Sequence, residues 1–272
     1  MGQGRERARP PFRRLAVLLA VALLGVIWGE VAGGRLPPAS GPGVPTTQKV
    51  VVPVLAYHVF PQRPAAPDAL DYEVAADVFE AQLFMLRARG WRSITAHDLA
   101  AMLATGARPR PRTLVITVDD GLRDGVTTAL PILQRHGFVA TFFVIAGRMG
   151  TTGYLTWDDV RRLRDAGMEI GSHTSSHPRL GDVTPDQAVA DVREAQRAIG
   201  AELGDPPLTF AYPGGSYNDA AIQAVREAGL LAAFTTARGN TFSWADRFTI
   251  PRLNVNADWS PRLLLRYVRS GS

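Results

Sequence analysis

The sequence predicts an α/β protein built on a mainly parallel sheet, closed as a barrel or open and doubly wound. Three observations predict it. Short apolar runs alternate with amphipathic stretches from about Lys49 onward, capping residues open many of those stretches, and glycines close several of them before the next run. The 272 residues, 46% of them hydrophobic, suffice for one large domain behind a leader.

Residues 1–14 form a basic opening with Arg5, Arg7, Arg9, Arg13 and Arg14, followed by an uncharged run from Leu15 to Gly29. Residues 15–32 therefore read as a signal peptide or a signal anchor. The run is shorter than the roughly 20 residues that span a bilayer, and Ala32-Gly33-Gly34 offers a small-residue cleavage site, so cleaved and anchored forms stand as equal expectations. Basic residues ahead of the run keep the N-terminus inside. The chain beyond the run is expected outside the cytoplasm, secreted or anchored to the cytoplasmic membrane through residues 15–32. Residues 33–48, rich in Gly, Pro, Ser and Thr, read as a tether to a domain over 49–272.

Within that domain the apolar runs predict strands near Val50–Ala56, Leu114–Val118, Ala140–Ile145, Glu169–Gly171, Leu208–Ala211, Ala232–Thr235 and Thr249–Leu253. Helix starts are marked by Thr156, by Thr184-Pro185-Asp186-Gln187 and by Ser260-Pro261; Gly137, Gly167 and Gly229 mark ends. The formal charge of +5 is mostly leader, because six arginines against two glutamates in residues 1–35 account for +4 of it. No nucleic-acid partner is implied. The absence of cysteine excludes disulfides, a Cys-ligated zinc and a thiol nucleophile.

Polar residues at the C-terminal ends of strands build the site in folds of this class. Asp119 and Asp120 end the Leu114 strand, and His173 and His177 lie just past the Glu169 strand. His58 ends the first strand, and Tyr212-Pro213-Gly214-Gly215 follows the Leu208 strand. One Asp and two His offer three ligands to a divalent ion and leave a fourth position open, the coordination of a catalytic zinc. The second carboxylate is then free to act as a base.

These segments resemble the polysaccharide deacetylases of carbohydrate esterase family 4, which share the NodB homology domain. Thr117-Val118-Asp119-Asp120-Gly121 is similar to the family's T-F-D-D-G, and His173-Thr174-Ser175-Ser176-His177 to its H-[ST]-x-x-H. The resemblance implies a distorted (β/α) barrel, Asp119 as base, and Asp120, His173 and His177 as ligands of Zn2+, with Co2+ or Ni2+ as alternatives. Two motifs depart from the pattern: Ala211-Tyr212-Pro213-Gly214-Gly215 lacks the usual Arg and second Tyr, and no His comes after His177. Tyr57-His58 and the F-A-Y-P segment are instead similar to the subgroup acting on poly-N-acetylglucosamine, which implies His58 as general acid. Arg252, at the end of a late strand, is the candidate replacement for the missing Arg. The Gly214 N–H is the candidate oxyanion donor.

Each residue also has an ordinary reading. An Asp-Asp-Gly turn alone is usually a loop, and a lone H-x-x-x-H is usually surface or core; their joint placement on strand ends argues otherwise. His97 and His136 read as structural, and Asp124 as a loop brace or a solvated side chain. Trp157 reads as packing, and Trp244 equally as packing or a sugar platform. Ser216 lacks the final Gly of a nucleophile elbow, Thr174 stands where a helical zinc peptidase needs Glu, and a nucleobase deaminase needs cysteines. The expectation is a monomeric, extracytoplasmic enzyme removing N-acetyl groups from an N-acetylglucosamine polymer, poly-N-acetylglucosamine ahead of peptidoglycan. Ester deacetylation ranks third, and an inactive polysaccharide-binding domain is the alternative of another class.

Overall fold

The computed structural model describes residues 47–61 and 71–271. The signal or anchor segment and most of the tether lie outside them. The strands are β1 (Val50–Val51), β2 (Val54–Tyr57), β3 (Arg92–Ile94), β4 (Thr113–Val118), β5 (Thr141–Val144), β6 (Glu169–Ser172), β7 (Thr209–Ala211), β8 (Ala232–Phe234), β9 (Thr241–Phe242) and β10 (Leu253–Asn254). The helices are α1 (Ala76–Ala88), α2 (Ala96–Thr105), α3 (Leu130–His136), α4 (Trp157–Asp165), α5 (Pro185–Leu203), α6 (Asp219–Glu227) and α7 (Pro261–Ser270). Thr156, Thr184 and Ser260 cap α4, α5 and α7 through their hydroxyls, as their spacing predicts.

The main sheet is parallel throughout and runs β10-β2-β4-β5-β6-β7-β8, with β3 beside the first half of β4. It is a curled half-barrel. Between β8 and β10 the pairing thins to one bridge, Phe234 with Ile250. The expected Val50–Ala56 strand is divided, because Pro53 removes a donor: β1 leaves the main sheet to pair antiparallel with β9, and β2 alone enters it. The expected Thr249–Leu253 strand shifts toward its C-terminus for the same reason. Pro251 interrupts it, leaving Ile250 on β8 and β10 on β2.

Strand side chains alternate between two faces. Leu55 and Tyr57, Ile116 and Val118, and Phe142 and Val144 face one core, against α1, α3, α4 and α7. Val54, Val115, Phe143 and Phe234 face a second, closed off by α2 and Trp244. Trp244 is thus a buried packing residue, which removes the sugar-platform reading; Trp157 packs on the first core. Along β4 the inward positions run Val115, Thr117 and then Asp119, so the pleat delivers a carboxylate to the concave side.

Gly171 lets β6 lie between its neighbours. A Cβ there would stand 2.4 Å from the buried Phe143 ring and 2.9 Å from Thr209 Oγ1. Overpacking of this kind costs about 1–3 kcal/mol, so Gly171→Ala is expected to lower the thermal midpoint by roughly 2–12 °C. A scan of the two proteins checks it, and an unchanged midpoint would mean the strands have room to spare.

Candidate active site

Asp119 follows β4 directly, and its N–H donates to the Tyr57 carbonyl at 2.9 Å, continuing the ladder with β2. Its carboxylate meets Arg252 in a two-pronged pair: Arg252 Nη1 donates to Oδ1 at 2.8 Å and Nη2 to Oδ2 at 2.7 Å. Both side chains are about 1% exposed. Arg252 also donates from Nη1 to Thr117 Oγ1 at 3.0 Å and from Nε to the Thr235 carbonyl at 2.9 Å. The candidate replacement for the missing motif Arg is therefore in contact with the carboxylate expected to be the base. Burial by itself would raise the Asp119 pKa. The charges of Arg252 and His173, with the Arg252 hydrogen bonds, outweigh it and hold the carboxyl below its ordinary range.

Asp120 leaves the strand geometry, with φ of +73°, and reaches different partners. Its Oδ1 lies 3.5 Å from His173 Nε2 and 3.4 Å from His177 Nε2. The three groups bring one ligand atom each to within 4.8 Å of one another, a spacing that could hold a metal ion. His173 Nδ1–H donates to the Ala211 carbonyl at 2.7 Å, which turns the Nε2 lone pair toward Asp120. The donor set and the tautomer both fit a divalent ion. Burial opposes ionisation of Asp120, but the two imidazoles beside it outweigh burial and hold the carboxyl well below the usual carboxylate range.

Backbone strain is concentrated here. Four non-glycine residues among those described have positive φ, and Asp120, Thr174 and His177 are three of them. Such conformations cost on the order of 1–3 kcal/mol each and persist where surroundings over-determine them.

His58 Nε2 lies 3.8 Å from Asp119 Oδ2, and its Nδ1 is buried without a partner among the described residues. Burial lowers its pKa against the upward pull of Asp119 and Asp120. Asp124 is a brace, not a solvated side chain: its Oδ2 accepts the Phe60 N–H at 2.6 Å and ties the loop after β4 to the segment carrying His58. In the turn after β7, the Gly215 and Ser216 N–H groups go to the Tyr212 and Pro213 carbonyls. Gly214, with φ of +59°, keeps its N–H outside those two bonds. Sequence reasoning did not single out Thr117, whose hydroxyl bridges Arg252 and the Leu55 carbonyl, or Tyr72, whose exposed ring lies 5.4 Å from His58. Tyr72 lies in no motif, and Thr117 opens the T-V-D-D-G segment without being one of its acids. The inward alternation of β4 was the available signal for Thr117.

Residues 106–233 match the family described as Polysaccharide deacetylase. The chain carries a polysaccharide deacetylase domain. Relatives of this deacetylase include the YxkH protein of Bacillus subtilis, 25% identical over 227 residues that make up 84% of this chain and 79% of that one. A poly-beta-1,6-N-acetyl-D-glucosamine N-deacetylase of Staphylococcus epidermidis is 24% identical over 202 residues, 69% and 70% of the two chains. The Streptococcus pyogenes deacetylase PplD, solved in complex with acetate, superposes with a TM-score of 0.75 at 26% identity, covering 80% of this deacetylase and 98% of PplD.

Removing the guanidinium would leave the Asp119 carboxylate buried and unpaired, a loss of about 3–5 kcal/mol. Because the pair holds the Asp119 pKa below its unfolded value, its stabilisation is present above the ordinary carboxylate range and is lost as pH falls through the lowered value. Arg252→Gln is expected to destabilise the deacetylase by that amount near pH 7 and to move the acid limb of its pH–rate profile to higher pH. Denaturant unfolding and the profile check the two effects, and a variant with an unmoved limb would separate Arg252 from the titration of Asp119.

Proposed function

We propose that this deacetylase removes N-acetyl groups from an extracytoplasmic N-acetylglucosamine polymer, with poly-N-acetylglucosamine as the substrate and Zn2+ as the resident ion. One observation carries the reading: the Asp120–His173–His177 cluster stands beside a second carboxylate that has its own guanidinium partner and is therefore not needed as a ligand. The N-deacetylase of Staphylococcus epidermidis among the relatives supports the choice of polymer. The basic, apolar leader supports the location.

Asp120, His173 and His177 would hold the ion, which when bound supplies Lewis-acid polarisation of a carbonyl and acidification of water. Asp119 Oδ2, facing His58, takes the proton from the attacking water. An amide breaks only when its nitrogen is protonated, and His58 is the group placed to deliver that proton. With His58 Nε2 at 3.8 Å from Asp119 Oδ2, one bridging water would carry the proton from carboxyl to imidazole, and the imidazole would hand it to the departing amine. Nothing is left over: water supplies the hydroxyl of acetic acid and the hydrogen of the amine. The Gly214 N–H is offered to the carbonyl oxygen as negative charge develops on it.

A purified preparation should release acetate from poly-N-acetylglucosamine oligomers in preference to peptidoglycan. Release should cease after thorough chelation and return with Zn2+. Undiminished release from the metal-free protein would contradict the mechanism, and preference for peptidoglycan would contradict the substrate. His58→Ala should bind metal as the wild type does while turnover falls about 10²–10⁴-fold, the usual contribution of a positioned acid. Full activity in that variant would remove His58 from the mechanism.

A further inference from the structure

The two histidines must present Nε2 atoms to the same oxygen of Asp120 although only three residues separate them. The chain reverses between them with Thr174 and His177 in the left-handed region, at φ of +69° and +67°. Both sides of that reversal are held. On one side the carbonyls of Thr174 and Ser175 accept the N–H groups of Ala146 and Gly147, at 3.0 and 2.9 Å. The approach is close enough that a Cβ on Gly147 would stand 2.6 Å from the Ser175 oxygen. Inside the turn, Thr174 Oγ1 accepts the His177 N–H at 2.9 Å.

On the other side the exposed donors all converge on one carboxylate. Ser175 N–H donates to Asp191 Oδ1 at 2.6 Å; Ser176 N–H is shared between Oδ1 and Oδ2 at 3.3 and 3.2 Å; and the Ser176 hydroxyl donates to Oδ2. Asp191 lies on α5, which packs against the turn containing Ala146 and Gly147. Successive N–H groups of a tight turn form a concavity that favours an anion, and hydrogen bonds to a charged acceptor are stronger than neutral ones. No element of the H-T-S-S-H pattern points to this partner, which is 14 residues beyond His177.

We propose that Asp191 is a positioning residue for the metal centre. Its carboxylate presets the strained turn so that His177 meets Asp120 before any ion arrives, and α5 thereby determines metal affinity without contributing a ligand. The inference rests on the reading of Asp120, His173 and His177 as a metal centre.

The test is competition titration of the full-length protein with Zn2+ against a chromophoric chelator, together with the absorption spectrum of the Co2+ form. Wild type, Asp191→Ala, Asp191→Asn and Glu194→Ala are compared, each checked for its thermal midpoint. Asp191→Ala is expected to bind Zn2+ about 10–100-fold more weakly, the usual loss on removing an outer-shell partner, and to give an altered Co2+ spectrum. Asp191→Asn, which keeps one carbonyl acceptor for Ser175 but turns an amide N–H toward Ser176, should fall measurably between Ala and wild type. Glu194→Ala, on the same helix and paired with Arg197, should bind as wild type does. Wild-type affinity and spectrum in Asp191→Ala would overturn the proposal. If Asp191→Ala does not fold, wild-type affinity in the nearly isosteric Asn variant overturns it. Failure of the wild type itself to bind Zn2+ would instead refute the metal centre.

Discussion

Asp119 and Arg252 are charges that neither could carry alone at that depth. An isolated carboxylate or guanidinium out of water costs several kcal/mol, and only good geometry with further hydrogen bonds offsets it. Here the two-pronged contact satisfies the carboxylate, while the remaining guanidinium donors reach Thr117 on β4 and the carbonyl of Thr235 just past β8. Arg252 thus spans the place where the half-barrel is thinnest, between the single Phe234–Ile250 bridge and the β10–β2 ladder. The side chain that steadies Asp119 also ties together the two edges of the sheet.

That pair separates the work of two adjacent carboxylates. The pleat of β4 turns Asp119 inward to Arg252, and the positive φ of Asp120 breaks the alternation and sends the next carboxylate to the imidazoles. Neighbouring acids of identical chemistry thereby acquire different partners, one a permanent cation and the other a pair of imidazoles. Strain at Thr174 and His177 is sustained by the bonds that hold their turn, from Ala146 and Gly147 on one side to Asp191 on the other. A site set up in this way would receive an ion with little left to reorganise.

Much of this was legible in the sequence because the informative residues sit at ends of apolar runs. Asp119, Asp120, His173, His177 and His58 could be assigned to one rim once the strand-helix alternation was recognised, and the structure does bring them together. Arg252 was legible only as a gap, through the motif Arg that is missing before Tyr212. Proline chemistry was underweighted: Pro53 and Pro251 each divide an apolar run that hydrophobicity alone treats as continuous. Asp191 could not have been found, since a carboxylate on a polar helix face looks the same in sequence whether it meets water or a distant turn. Trp244 illustrates the opposite case, an aromatic whose burial is decided by elements far away in the chain.

The role given to each carboxylate is most directly tested by a crystal structure of the Zn2+-loaded protein with the ion located by anomalous scattering. The account predicts one ion, about 2.0–2.2 Å from an Asp120 oxygen and from Nε2 of both His173 and His177, with Asp119 still paired to Arg252 and outside the coordination sphere. An ion ligated by Asp119, or Asp119 released from Arg252 when metal binds, would contradict it.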